Sequence, residues 1–230
     1  ATMPALALTA GTNFTNAWYL CTSMTSFLAT GLDSGTNFYA AWYGCSSLAT
    51  MPAIPLTAGT NFTNAWLNCT SMTSFLATGL DSGTTFLQAW YNCSALTTFP
   101  AIPLTAGTNF NSSWYNCNHM TSFLATGLDS GTNFTYAWSS CTRLATFPAI
   151  PLTAGTNFTH AWSNCSVLTT FPAIDFSGAT NFDSSWYACT TLTSFLATGL
   201  DSGTNFTNAW SQCLALTSFP VLDLSAGTNF

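Results

Sequence analysis

Charge is the first thing missing from this chain. Its 230 residues include one arginine, Arg143, no lysine and no glutamate, and its seven acids are all aspartates. Charged residues make up 3% of the sequence, against roughly 25% in ordinary soluble domains. A formal net charge of −6 with a single strong base excludes a nucleic-acid partner, which needs several phosphate-neutralising cations. No apolar run reaches the ~18 residues of a membrane span, and no basic amphipathic face suggests a membrane surface. Close Cys-x-x-Cys pairs are absent too, which removes the zinc-site reading of the cysteines. Beside His119 and His160 no acid or nucleophile recurs to complete a triad. The expectation is a protein without catalytic residues, cofactor or metal.

What is present is repetition. A 24-residue unit is clearest over 38–61, FYAAWYGCSSLATMPAIPLTAGTN, and Phe62 opens the next copy. A fixed period of this length signals a solenoid, whose units touch only their neighbours. Each tryptophan holds one slot and a cysteine follows three residues later: Trp18 and Cys21, Trp42 and Cys45, Trp66 and Cys69, Trp90 and Cys93, Trp114 and Cys117, Trp138 and Cys141, Trp162 and Cys165, Trp186 and Cys189, Trp210 and Cys213. Stacking also accounts for the missing charge. Each slot recurs every ~4.8 Å along such an array, so a charged slot becomes a ladder of like charges. Ser, Thr and Asn can instead hydrogen-bond along it.

Phe14, Ala17, Trp18 and Cys21 fall at i, i+3, i+4 and i+7, a spacing that predicts a short helix with one buried face. The face recurs at Phe38, Trp42 and Cys45 and at Phe62, Trp66 and Cys69. After the cysteine, x-x-Leu/Met-x-x-Phe/Met predicts a short strand, one per coil, stacked into a parallel sheet. A bend follows in two flavours. Met3, Met51, Phe99 and Phe147 lead into Pro-Ala-(Ile/Leu), whereas Phe27, Phe75, Phe123 and Phe195 lead into Leu-Ala-Thr-Gly-Leu-Asp-Ser-Gly. The two alternate until Phe171 repeats the Pro type directly after Phe147. Proline there removes an edge hydrogen-bond donor.

The motif Ala-Trp-x-x-Cys-x-x-Leu-Thr-x-Phe-Pro resembles the signature of bacterial BspA-like, Treponema-type leucine-rich repeats. Tyr43-Gly44-Cys45-Ser46-Ser47-Leu48-Ala49 is similar to the Phe-x-Gly-Cys-Ser-Ser-Leu-Thr motif of related bacterial and phage surface proteins. Tryptophan stands where those repeats carry phenylalanine, and Phe or Met where they carry Ile or Leu. The resemblance implies display, adhesion or attachment at a surface, and no catalytic residues.

Other recurring groups have both a functional and a plain reading. The cysteines read as a buried column of thiols, since disulfide geometry is demanding and nine is odd. The indoles share the helical phase of the core, although an outward row would make a sugar-stacking platform. Thr12, Thr36, Thr60, Thr84 and Thr108 precede Asn-Phe or Thr-Phe, and Thr25, Thr73, Thr97 and Thr121 form another row. Such arrays follow the surface logic of ice binding, and equally of hydrogen-bonded ladders. Asp33, Asp81, Asp129 and Asp201 read as turn residues rather than a shared calcium site. Nine Asn-x-Ser/Thr sequons occur at Asn13, Asn61, Asn68, Asn92, Asn111, Asn133, Asn157, Asn164 and Asn205.

The expected architecture is therefore a right-handed, leucine-rich-repeat-like solenoid over 1–230, with one short parallel strand and one short helix per coil. Its partial repeats at either end read as a segment of a longer array. The expected role is an extracellular structural or attachment element on a bacterial surface or virion, in a fibre, filament or adhesin. Expected partners are copies of itself, by end-to-end or lateral stacking, and surface glycans or proteins. The alternative is a glycan- or ice-binding module using a Thr or aromatic ladder.

Overall fold

The computed structural model describes residues 2–230; Ala1, the first residue of the expected solenoid, lies outside them. The chain is a stack of coils in constant 24-residue register. An unbroken series of parallel bridges joins Asn13, Asn37, Asn61, Thr85, Asn109, Asn133, Asn157, Asn181, Asn205 and Asn229, each to the next.

The segment from Phe to Cys is not a helix, and no helix occurs among the described residues. It is a ribbon of consecutive turns. In one coil the Ala65 N–H donates to the Phe62 carbonyl (3.1 Å), Leu67 to Asn64 (3.2 Å) and Cys69 to Trp66 (3.1 Å). The intervening amides point the other way. Phe62, Asn64, Trp66 and Asn68 donate to Thr85, Leu87, Ala89 and Tyr91 of the next coil at 2.8–3.0 Å. Asn64 and Asn68 adopt φ of 58° and 61°, and the residues equivalent to them are left-handed in every coil. A left-handed residue at each fourth position breaks the i→i−4 pattern of an α-helix and turns alternate amides toward the neighbour. Phe, Ala, Trp and Cys still face inward, because i, i+3, i+4, i+7 fits this ribbon as well as a helix.

Asn or Gly fills many of the left-handed slots, as at Asn16, Gly44, Asn92, Asn116 and Asn164. Leu20, Ala40, Gln88, Tyr136, His160 and Ala188 adopt the same conformation without that ease. Side chains other than Gly and Asn resist it by roughly 1–2 kcal/mol. The inter-coil hydrogen bonds on both sides hold these residues there.

Six two-residue strands form on the opposite side: β1 (Thr50–Met51), β2 (Ser74–Phe75), β3 (Thr98–Phe99), β4 (Ser122–Phe123), β5 (Thr170–Phe171) and β6 (Ser194–Phe195). They pair in parallel as β1–β2, β3–β4 and β5–β6, not as one sheet. Proline explains the gaps. Leu76, Leu124 and Leu196 each donate an N–H to the coil below, to Met51, Phe99 and Phe171 (2.9–3.0 Å). Pro52, Pro100, Pro148 and Pro172 hold the same slot and have no N–H to give. The bend repeats this pairing: Thr78 donates to Ile54 and Leu56 to Thr78, at 3.0 and 2.9 Å. A Pro-type coil and the Gly-type coil after it thus form one hydrogen-bonded unit.

Inside, side chains of equivalent slots stack in columns. Phe38, Phe62, Phe86, Phe110, Phe134 and Phe158 stack with parallel planes, centroids 5.2–5.5 Å apart and planes within 6°. The strand phenylalanines meet the indoles edge-on, as Phe99 does Trp90 (4.8 Å) and Trp114 (5.2 Å). Offset-stacked and edge-to-face pairs at such distances are the favoured aromatic geometries.

Candidate functional site

The recurring side chains make columns rather than a cleft. The indoles from Trp42 to Trp186 are wholly buried, Trp18 almost so, and Trp210 half-buried. They form no outward platform. Consecutive ring centroids lie 5.0–5.6 Å apart with planes within 20° along the whole series. From Trp42 to Trp210, no indole Nε1 finds a hydrogen-bond acceptor among the described residues. That is a costly arrangement for a buried donor.

The thiols stand beside the indoles. Cys45 through Cys189 are buried, Cys213 is half-buried, and Cys21 in the outermost coil is exposed. All nine cysteines are free. From Cys45 onward each S–H donates to the carbonyl of the tryptophan 27 residues earlier, as Cys117 does to Trp90 (3.2 Å). Burial pushes the thiols of Cys45, Cys117 and Cys165 up to about 12. Burial and then the neighbouring thiols of the column also raise Cys69, Cys93 and Cys141. Such thiols pack as small hydrophobes and carry almost no thiolate.

On the surface, one column is unbroken. Thr12, Thr36, Thr60, Thr84, Thr108, Thr132, Thr156, Thr180, Thr204 and Thr228 are all exposed. From Thr36 on, each hydroxyl donates to the carbonyl of the threonine one coil earlier, at 3.1–3.4 Å. The shared bond holds these side chains in a common orientation. The second row is interrupted by Ala49 and Ala145, although Thr73, Thr121, Thr169 and Thr193 make the same kind of bond.

Several surface aromatics stack on one another: Tyr19 on Tyr43 and Tyr91 on Tyr115, both at 4.7 Å, and Tyr136 on His160 at 4.6 Å. Burial lowers the His160 pKa, with Asp183 opposing it. His119 is exposed, in another slot, with Nδ1 2.9 Å from Asn118 Oδ1.

The remaining candidates serve the backbone. Asn13, Asn61, Asn133, Asn157 and Asn205 cap the turn ribbon, each accepting from the N–H two residues on at 3.0–3.1 Å. Asn68, Asn92 and Asn116 form an amide ladder at 2.9 and 2.7 Å. Asp33 and Asp81 sit at exposed bends, where their carbonyls accept from Thr57 and Thr105 at 3.2 Å. Asp129 and Asp201 occupy the same exposed bend. The amide ladder and the thiol-to-carbonyl bonds are partners that sequence spacing did not specify. Asn at the left-handed slots was the signal for the ribbon.

No family model and no curated protein matches the sequence. Among solved structures, the chain is similar to a leucine-rich cell surface protein from Faecalibacterium prausnitzii A2-165. They share 16% identity and a TM-score of 0.43, over 90% of this chain and 69% of that one. It is also similar to a leucine-rich repeat protein from Bacteroides ovatus ATCC 8483. There the identity is 11% and the TM-score 0.31, over 88% of this chain and 78% of that one.

Proposed function

We propose that the chain is the solenoid segment of an extracellular surface protein, without enzymatic activity, that serves as a structural or attachment element. It acts in a surface fibre, filament or adhesin, through contacts with copies of itself and with surface proteins or glycans. The observation that supports this reading is the exposed threonine column, which presents the same group once per coil along the whole rod. Many identical weak contacts at fixed spacing add by multivalency.

Light scattering and negative-stain electron microscopy across a concentration series test the proposal on the 230-residue chain. Rods lengthening with concentration are expected; uniform short monomers at every concentration would count against self-association.

A second reading is ice binding, favoured by the same column: exposed, uncharged and uniformly oriented. Its test is thermal hysteresis, and the activity should vanish when Thr108 and Thr132 are replaced by tyrosine. No hysteresis in the parent protein removes this reading.

A further inference from the structure

We infer that the indole column conducts oxidising holes along the rod, with a one-electron oxidant at one end as its substrate. The inference stands apart from the proposed surface role, since it rests on the interior alone. Nine indoles follow one another at centroid distances of 5.0–5.6 Å, nearly parallel and without a gap. Indole is the aromatic side chain most easily oxidised to a radical cation without loss of a proton, and electron exchange between closely stacked rings is fast. By coil spacing the column runs on the order of 40 Å.

What happens to an oxidised indole depends on its proton. In water the indole radical cation is quickly trapped by loss of its N–H proton to a base. Here the buried Nε1–H groups from Trp42 to Trp186 have no acceptor among the described residues, and the rings are closed to solvent. The proton stays, the radical remains a cation, and the hole remains mobile.

Competing traps are disabled too. Phenylalanine is harder to oxidise than tryptophan. Oxidising a buried thiol requires its proton to leave, and that proton is bonded to a tryptophan carbonyl, a poor base. Inside the rod the accessible move is therefore to the next indole.

The electron balance is simple. The oxidant takes one electron from the first indole; each neutral indole then passes one electron back to the radical cation before it. No covalent bond forms or breaks inside. At the far end the ring of Trp210 is half-buried while its Nε1 stays closed to solvent, so the hole leaves by taking one electron from a one-electron reductant in solution, and one electron leaves that reductant for each one the oxidant takes. Burial disfavours a cation in the interior, so inner indoles relay the hole and end indoles hold it. This routes oxidising equivalents past the buried thiols and past Met72 and Met120.

Cys21, the exposed thiol, provides the handle for a test. A ruthenium polypyridyl photosensitiser is attached there in a chain carrying Cys213→Ser, and flashed with a cobalt(III) quencher to generate ruthenium(III). Peptide mass spectrometry then reads oxidation at Trp210, with nitrogen-15-enriched protein lacking the photosensitiser in the same mixture as the background. Oxidised Trp210 should exceed that background at least tenfold. Trp114→Phe keeps an aromatic ring in the stack but removes one redox station, and should cut the signal at Trp210 at least tenfold. Oxidation at Trp42 should be unaffected. Trp138→Phe is the second variant, and near-ultraviolet circular dichroism establishes that each is folded. Trp210 oxidation at background in the parent, or undiminished in both folded variants, overturns the inference.

Discussion

Raising the pH should unfold this rod far more steeply than an ordinary protein, and the thiol column sets the size of the effect. Cys117 and Cys165 are buried and pushed up to about 12 from the ordinary 9.0. An acid whose folded pKa is raised keeps its proton longer in the folded chain than in the unfolded one. Below about pH 9 both states are protonated and stability is intact; above it the unfolded chain sheds protons first, so stability falls as the pH climbs toward 12. Each thiol then removes about 1.4 kcal/mol per pH unit. By about pH 11 the two together remove about 5 kcal/mol, a large share of the roughly 5–15 kcal/mol that holds a typical domain folded. Cys69, Cys93 and Cys141, raised by burial as well, add to the slope. The assay is urea unfolding followed by circular dichroism at several pH values from about 8 to about 11. Replacing Cys117 and Cys165 with alanine should lower the slope by about two protons. A stability that stays level across that range, or a slope unchanged in the double variant, would refute the reasoning.

Trp114→Ala removes a ring packed against Trp90, Trp138, Phe99 and Phe123 at 4.8–5.6 Å and should cost about 3–5 kcal/mol. Because coils couple only to neighbours, its urea unfolding trace should also split into two steps; a single unshifted transition contradicts the column. Gly127 has φ of +68°, and a Cβ there would lie 2.6 Å from Thr105 Cγ2 and 3.2 Å from its Cα. Gly127→Ala should therefore cost at least about 1–2 kcal/mol in thermal unfolding, with Thr105→Ser relieving part of it. Pro100→Leu supplies the missing N–H opposite Phe75 and should join β2 to β3. Hydrogen exchange reads this directly: protection at residue 100 comparable to that of Leu76 is expected, and free exchange there would show that proline is not what divides the sheet.

Tryptophan and cysteine register made the stack legible from sequence, because one slot repeated without slippage leaves no other way to bury nine indoles. The hydrophobic spacing pointed to a helix where the chain forms a turn ribbon, since i, i+3, i+4, i+7 is common to both. What separates them is backbone hand, and its trace was present in Asn64 with Asn68, and in Gly44. Tyr136, His160 and Ala188 obscured it, because their left-handed conformation is imposed by bonds to adjacent coils rather than by local preference. The threonine row was visible, but the destination of its hydroxyls was not. Whether a threonine bonds along the axis or faces solvent depends on where the previous coil's carbonyl lies.

The division of the coils into Pro-type and Gly-type partners bears on how such a rod changes length. Gain or loss of a 48-residue pair leaves every bend facing the partner it already bonds, so such changes conserve the backbone ladder. A single-coil change leaves two like bends adjacent, as where Phe147 is followed by Phe171. There the strand side keeps the isolated bridge between Thr146 and Thr170, fewer bonds than a Pro–Gly pair makes but more than the step from Phe75 to Phe99, which has none among the described residues, while the asparagine ladder runs on uninterrupted. Growth by single coils is thus carried by the asparagine side, and the strand side tolerates it.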